Sequence, residues 1–189
     1  VTLTVSQSKR LIARGLSKWQ PIRERLERGM LVIAKGTTNR YLVEELLGED
    51  LSVYPYCIGM VAPEEMKRRR DSAPDIPELV IADGRLIEVC LDEAIGMMSS
   101  GDIFVKGANA LNYSEGVAGI LSTGPTGGTI GQALAKLIGS RIRLVIPVGL
   151  EKCVAWRIEE ACNWLNSPEA QEGTPTMYAV RGEIFTEIE

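Results

Sequence analysis

Apolar residues recur along this chain with two periods, and their alternation sets the expected architecture. Between Ser6 and Arg28, Leu11, Ile12, Leu16, Trp19, Ile22 and Leu26 keep a helical spacing. Ser6 or Ser8 is the expected cap. Pro21 either starts a second helix or breaks the first, and Gly29 suits the position after a helix end. The apolar run at 30–34 reads as a buried strand, and 38–47 reads as a helix closed by Gly48. Residues 53–61 point to a short strand. The polar stretch 63–77 is bounded by prolines and reads as a loop. It holds Lys67-Arg68-Arg69-Arg70, either a solvated flap or a basic lid over an anionic ligand. A short strand at 79–82, the turn signal Asp83-Gly84 and an apolar return at 85–89 predict a hairpin. Helices are expected at 91–99 (with Asp92 as cap), 129–138 and 155–165. Strands are expected at 103–106 and 143–148. Residues 117–121 are apolar but interrupted by glycine, and the tail at 177–188 reads as one strand.

Strands alternating with helices predict an α/β fold: a single domain with a mainly parallel sheet and helices on both faces. The expected organisation is an N-terminal helical segment, 1–29, followed by one α/β anion-binding unit, 30–189. A chain of 189 residues fits one domain and buries enough surface to need no staples. The amphipathic first helix can pack on the sheet or on a second copy, and from it a homo-oligomer is expected.

Ligands of such sheets sit beyond the C-terminal strand ends, and four segments fall there. Gly36-Thr37-Thr38-Asn39 joins a strand to a helix, so free backbone N–H groups and the positive end of the helix dipole face the turn. Gly36 is expected to allow a bend that a side chain resists. Thr37 and Thr38 either help hold an anion or simply cap the helix. Lys106-Gly107-Ala108-Asn109 places an amine beside open backbone, and Glu115 follows nine residues later. Together Lys106 and Glu115 are an electrophile and a base, or an ordinary ion pair. Gly124-Pro125-Thr126-Gly127-Gly128-Thr129 runs into a helix, as a second anion cradle or as a flexible loop with a Thr129 cap. Lys152 lies just past the 143–148 strand and reaches the same sheet edge if the strands are parallel.

The chain has no histidine, which removes histidine-dependent triads and histidine-ligated metals. No metal and no cofactor are expected. A net charge of −4 disfavours a nucleic-acid partner. Cys57, Cys90, Cys153 and Cys162 form no C-x-x-C pair and read as reduced, mostly buried thiols. The sequence shows no signal peptide and no apolar run near the ~18 residues of a membrane span. A cytoplasmic protein with no membrane partner is the expectation.

The order of these motifs resembles the superfamily of ribose-5-phosphate isomerases, coenzyme A transferases, DeoR-type sugar-phosphate sensor domains and lactate-utilisation domains. Gly36-Thr37-Thr38 is similar to the sensors' phosphate turn. The run from Lys106 to Glu115 is similar to the isomerase lysine motif and its catalytic glutamate, and Ile146-Pro147-Val148-Gly149-Leu150-Glu151-Lys152 to the late strand and lysine of the sensors. Ten and thirteen residues before the lysine, where the isomerases carry carboxylates, stand Gly96 and Glu93. The resemblance implies an isomerase/transferase-like fold and a small anionic metabolite, such as a sugar phosphate or acyl-CoA. In that reading the turn residues hold the anion, Lys106 stabilises an oxyanion, and Glu115 moves a proton or attacks. A non-catalytic sensing or partner-binding module of the same fold is the alternative, and a partner subunit with a degenerate site is the third reading.

Overall fold

The N-terminal apolar period splits in two at Trp19. In the computed structural model, which describes residues 2–51, 56 and 76–189, α1 spans Val5–Lys18 and α2 spans Gln20–Glu27. The cap of α1 is Thr4 rather than a serine, because Thr4 and Gln7 exchange side-chain bonds to backbone N–H groups in a capping box. Pro21 sits in the first turn of α2, where a missing N–H leaves no bond unmade. Ile12, Ala13, Leu16 and Ile22 are fully buried in one core with Leu31, Ile33 and Ile103 of the sheet. Most of the stripe is thus covered by the sheet, while Leu11 stays exposed, and 1–29 pack against the α/β unit.

The main sheet contains β1 (Met30–Ile33), β2 (Leu79–Ala82), β3 (Arg85–Leu86), β4 (Ile103–Val105), β7 (Arg143–Pro147) and β9 (Glu183–Phe185), in the order β3-β2-β1-β4-β7-β9. β1, β4, β7 and β9 run parallel. β2 and β3 form an antiparallel edge. Asp83 and Gly84 both take positive φ (46° and 78°), as a two-residue hairpin turn with the right twist requires.

Successive strand residues face opposite sides. Leu31, Ile33, Ile103, Val105 and Val145 pack with α1, α2 and α3 (Thr37–Leu47). Val32, Phe104, Leu144 and Ile146 pack with α4 (Leu91–Met97), α5 (Gly128–Gly139) and a second sheet. Helices thus cover both faces of a mainly parallel sheet, as the alternation of periods predicts.

The second sheet departs from expectation. It is antiparallel, with β5 (Ala110–Asn112), β6 (Val117–Ser122) and β8 (Thr176–Val180) in the order β5-β6-β8. Three residues of β5 carry too short a pattern to read. The glycine interruption in β6 is a close packing point: a side chain on Gly119 would begin 2.9 Å from Met177 Sδ. The tail is two strands in two different sheets rather than one. α6 (Ile158–Leu165) starts later than expected, and α4 is capped at Cys90, not Asp92. Cys90 and Cys153 are exposed and Cys162 is buried, so the expected burial holds for one of these three thiols. Cys57, the 53–61 strand apart from Tyr56, and the basic run 67–70 lie outside the described residues. Among the described residues, no helix is long and apolar enough to cross a membrane.

Candidate functional site

Register brings three strand ends to one level. Ile33, Val105 and Val145 are neighbours across β1, β4 and β7. The Ala34 N–H donates to the Val105 carbonyl and the Lys106 N–H to the Val145 carbonyl, both at 3.0 Å. Lys35-Gly36, Lys106-Gly107 and the segment leading to Lys152 therefore leave the sheet together. Asn39 fastens two of these exits. It is fully buried, and its Nδ2 donates to the carbonyls of Ala34 (2.7 Å) and Val105 (3.3 Å). Expected as a ligand-binding side chain, Asn39 instead ties β1 to β4 beneath the turn.

A cavity of about 480 Å³ opens at this edge. Gly36, Thr37 and Thr38 line it from the start of α3, Lys106, Gly107 and Asn109 from the end of β4, and Gly128 and Thr129 from the start of α5. Lys35, Ser122 and Lys152 complete its polar lining. Neither α3 nor α5 has a side-chain cap, and neither carries an acidic residue in its first turn. The threonines therefore do not cap these helices. Their first N–H groups and positive dipole ends are left to face the cavity, an arrangement suited to anions.

The two glycine turns differ. Gly36 has φ 174°, an extended conformation open to any residue, and an added Cβ there would lie 3.7 Å from Asn39. The bend expected of Gly36 is absent. The 124–131 turn does need glycine, since Gly124, Gly127 and Gly128 take φ of 85°, 72° and 59°. A Cβ on Gly128 would stand 2.8 Å from Ser122 Oγ. Gly127 itself lies against the Tyr178 hydroxyl and is not part of the cavity lining.

Among the described residues, Lys35, Lys106 and Lys152 line the hollow and Lys9 reaches its edge at Thr37. Lys106 Nζ donates to the Lys35 carbonyl at 3.4 Å and Lys152 Nζ to the Ala108 carbonyl at 2.6 Å. Lys9, from α1, donates to Thr37 Oγ1 at 2.9 Å. Among the described residues, neither Lys106 nor Lys152 pairs with a carboxylate. Burial, and then the charge of Lys152, pushes the Lys106 ammonium below its ordinary value, with Glu78 opposing. Burial, and then Lys9, does the same to Lys152, with Glu151 opposing. An anion in the cavity would offset both costs. Ser122 Oγ is buried in the same wall without a hydrogen-bond partner.

Lys106 and Glu115 do not meet. Glu115 is exposed in the turn between β5 and β6, at the far end of the hairpin that leaves Asn109. Its carboxylate faces Arg157 Nε at 3.7 Å, and its carbonyl accepts from Arg181. Asn109 lines the cavity and also accepts from the Leu121 N–H at 3.0 Å, which holds β6 in place. Sequence reasoning missed Lys35, Ser122 and Lys9. Lys35 had a signal, since it directly precedes Gly36 at a strand end. Nothing in the local pattern marked Ser122 or Lys9, which arrive from β6 and α1.

No family model matches this chain, and no curated protein matches it. A second hollow, over Arg10, Glu44 and Glu45, is lined by charges that already pair, at 2.5 Å and 3.0 Å to Arg10.

Proposed function

We propose that this protein binds a small phosphorylated or carboxylated metabolite in the cavity at the C-terminal edge of its parallel strands. The observation that carries this reading is the convergence of Lys35, Lys106, Lys152 and two uncapped helix starts on one hollow. The backbone N–H groups around Thr37, Thr38 and Thr129 would bind anionic oxygens, and the lysines would supply the charge. The motif order shared with the isomerase/transferase superfamily favours a sugar phosphate or an acyl-CoA. Among the described residues no carboxylate lines the cavity, so isomerisation or acyl transfer through a Lys106–Glu115 pair gains no support from the geometry. Binding is the function that the residues favour.

A thermal-shift titration with inorganic phosphate, sugar phosphates and coenzyme A derivatives tests the proposal. A ligand at ~100 times its Kd should stabilise the fold by about 2.7 kcal/mol. Lys152→Met should weaken that response. If no anion stabilises the protein, or if Lys152→Met leaves the response intact, the reading fails.

A further inference from the structure

We propose that Lys106 is a nucleophilic amine that captures the carbonyl carbon of an anionic aldehyde or ketone as an imine. The inference rests on the anion-binding reading above and adds a reactive group to it. Lys106 extends from the end of β4 into a cavity large enough for a small metabolite. Among the described residues, its hydrogen bond is a long one, 3.4 Å to the Lys35 carbonyl, so the nitrogen is not committed to a strong partner there. No carboxylate pairs with it among the described residues to hold it charged. Lys152 lines the same cavity as a second cation, half-buried and fixed on the Ala108 carbonyl, and its charge acts on Lys106. A lysine that is desolvated and placed next to another cation is the arrangement that makes an amine nucleophilic. The direction of its titration agrees, since burial and Lys152 both favour the neutral form.

The rest of the cavity suits the other half of such a ligand. Phosphate or carboxylate oxygens would lie on the open N–H groups at Thr37, Thr38 and Thr129, which leaves the carbonyl end for the lysine. Ser122 Oγ, buried in the wall beside Gly128 and without a partner, gives that anionic end a hydroxyl donor. The step balances without a further reagent. The Lys106 lone pair forms a C–N bond, and the carbonyl π electrons move to oxygen. The carbinolamine oxygen then leaves as water with the two hydrogens of the amine, and a C=N bond remains.

The test is reductive trapping. The protein is incubated with glycolaldehyde phosphate and cyanoborohydride, and labelled peptides are mapped by mass spectrometry. Labelling at Lys106 should outpace that at exposed Lys18 by roughly tenfold or more, because a bound aldehyde is held at high effective concentration. Excess inorganic phosphate should protect it. Lys106→Arg should lose the adduct while its circular dichroism and melting stay close to the parent, and Lys106→Met serves as the second variant if arginine does not fit. Labelling spread evenly over surface lysines, or labelling of Lys106 that phosphate does not slow, overturns the inference. If phosphate stabilises the protein but Lys106 stays unlabelled, imine formation is refuted and anion binding survives. If neither occurs, both readings fall.

Discussion

Replacing Lys106 with methionine should move the protein in two opposite directions at once. Without ligand, the substitution removes an ammonium that sits partly desolvated in the field of Lys152 and that, among the described residues, has no paired carboxylate. Such replacements are neutral to stabilising by 1–4 kcal/mol for buried groups. Lys106 is only half-buried, so screening reduces the expected gain to about 1 kcal/mol, or roughly 2–4 °C in a chain of this size. With ligand the sign reverses. Inorganic phosphate has no carbonyl end to place and can sit against the Lys106 ammonium; at ~4 Å the two attract by about 4 kcal/mol at an effective dielectric of ~20, and desolvation takes back about half. A loss of ~2 kcal/mol weakens Kd about 30-fold. At a phosphate concentration ~100 times the parent's Kd, stabilisation should fall from about 2.7 to about 0.9 kcal/mol. Paired melting curves with and without phosphate read both effects. The lysine is held below its ordinary value of 10.5, so the folded state binds fewer protons than the unfolded chain between the two values. The penalty is therefore largest at neutral pH and vanishes above 10.5, and the apo gain should shrink as pH rises toward that value. A variant that melts lower without ligand and responds to phosphate like the parent would show that Lys106 is a structural tether.

Three more outcomes follow from the geometry. Gly128→Ala should cost about 1–3 kcal/mol in urea unfolding, because φ is 59° and the new methyl meets Ser122 Oγ at 2.8 Å. Gly36→Ala, at an extended φ of 174°, should stay within about 0.5 kcal/mol; equal costs at the two sites would contradict the conformational argument. Asn39→Ala should destabilise by about 2 kcal/mol, because the buried Ala34 carbonyl loses its Asn39 donor and the Val105 carbonyl keeps only the Ala34 N–H, and a neutral result in the same denaturation assay would remove its role as a tie. Glu115→Gln should leave phosphate binding unchanged and stability within about 0.5 kcal/mol, since its exposed pair with Arg157 is weak; a tenfold loss of affinity by calorimetry would return Glu115 to the site.

What could be read in the sequence was local. Short apolar runs ended by Lys-Gly pairs disclosed β1 and β4 and the lysines that follow them, because a buried parallel strand imposes its pattern on four or five adjacent residues. The glycine turn before α5 was legible for the same reason, as its backbone needs residues that only a few types supply. The cap at Thr4 was missed because three neighbouring hydroxyl residues compete for that position. What remained hidden depends on pairing across long separations. β8 reaches β6 across more than 50 residues, and Ser122 enters the wall only through that pairing. Lys9 reaches Thr37 because α1 lies on α3, which no window of the sequence contains. The reading of Glu115 failed differently. Nine residues look adequate to return a carboxylate to a lysine, but the chain uses them to extend β5 away from the strand end.

The split of the tail between two sheets governs when the pocket can come into being. Pro175 contributes to its rim, Thr176 Oγ1 donates to the Ser122 carbonyl, and the Tyr178 ring underlies the glycine turn at Gly127. A few residues later β9 seals the open side of β7. During synthesis, a nascent chain that has not yet released this stretch holds its lysines and helix starts without the lacing that gathers them. Ligand recognition is thus postponed until the stretch from Pro175 to Phe185 has emerged.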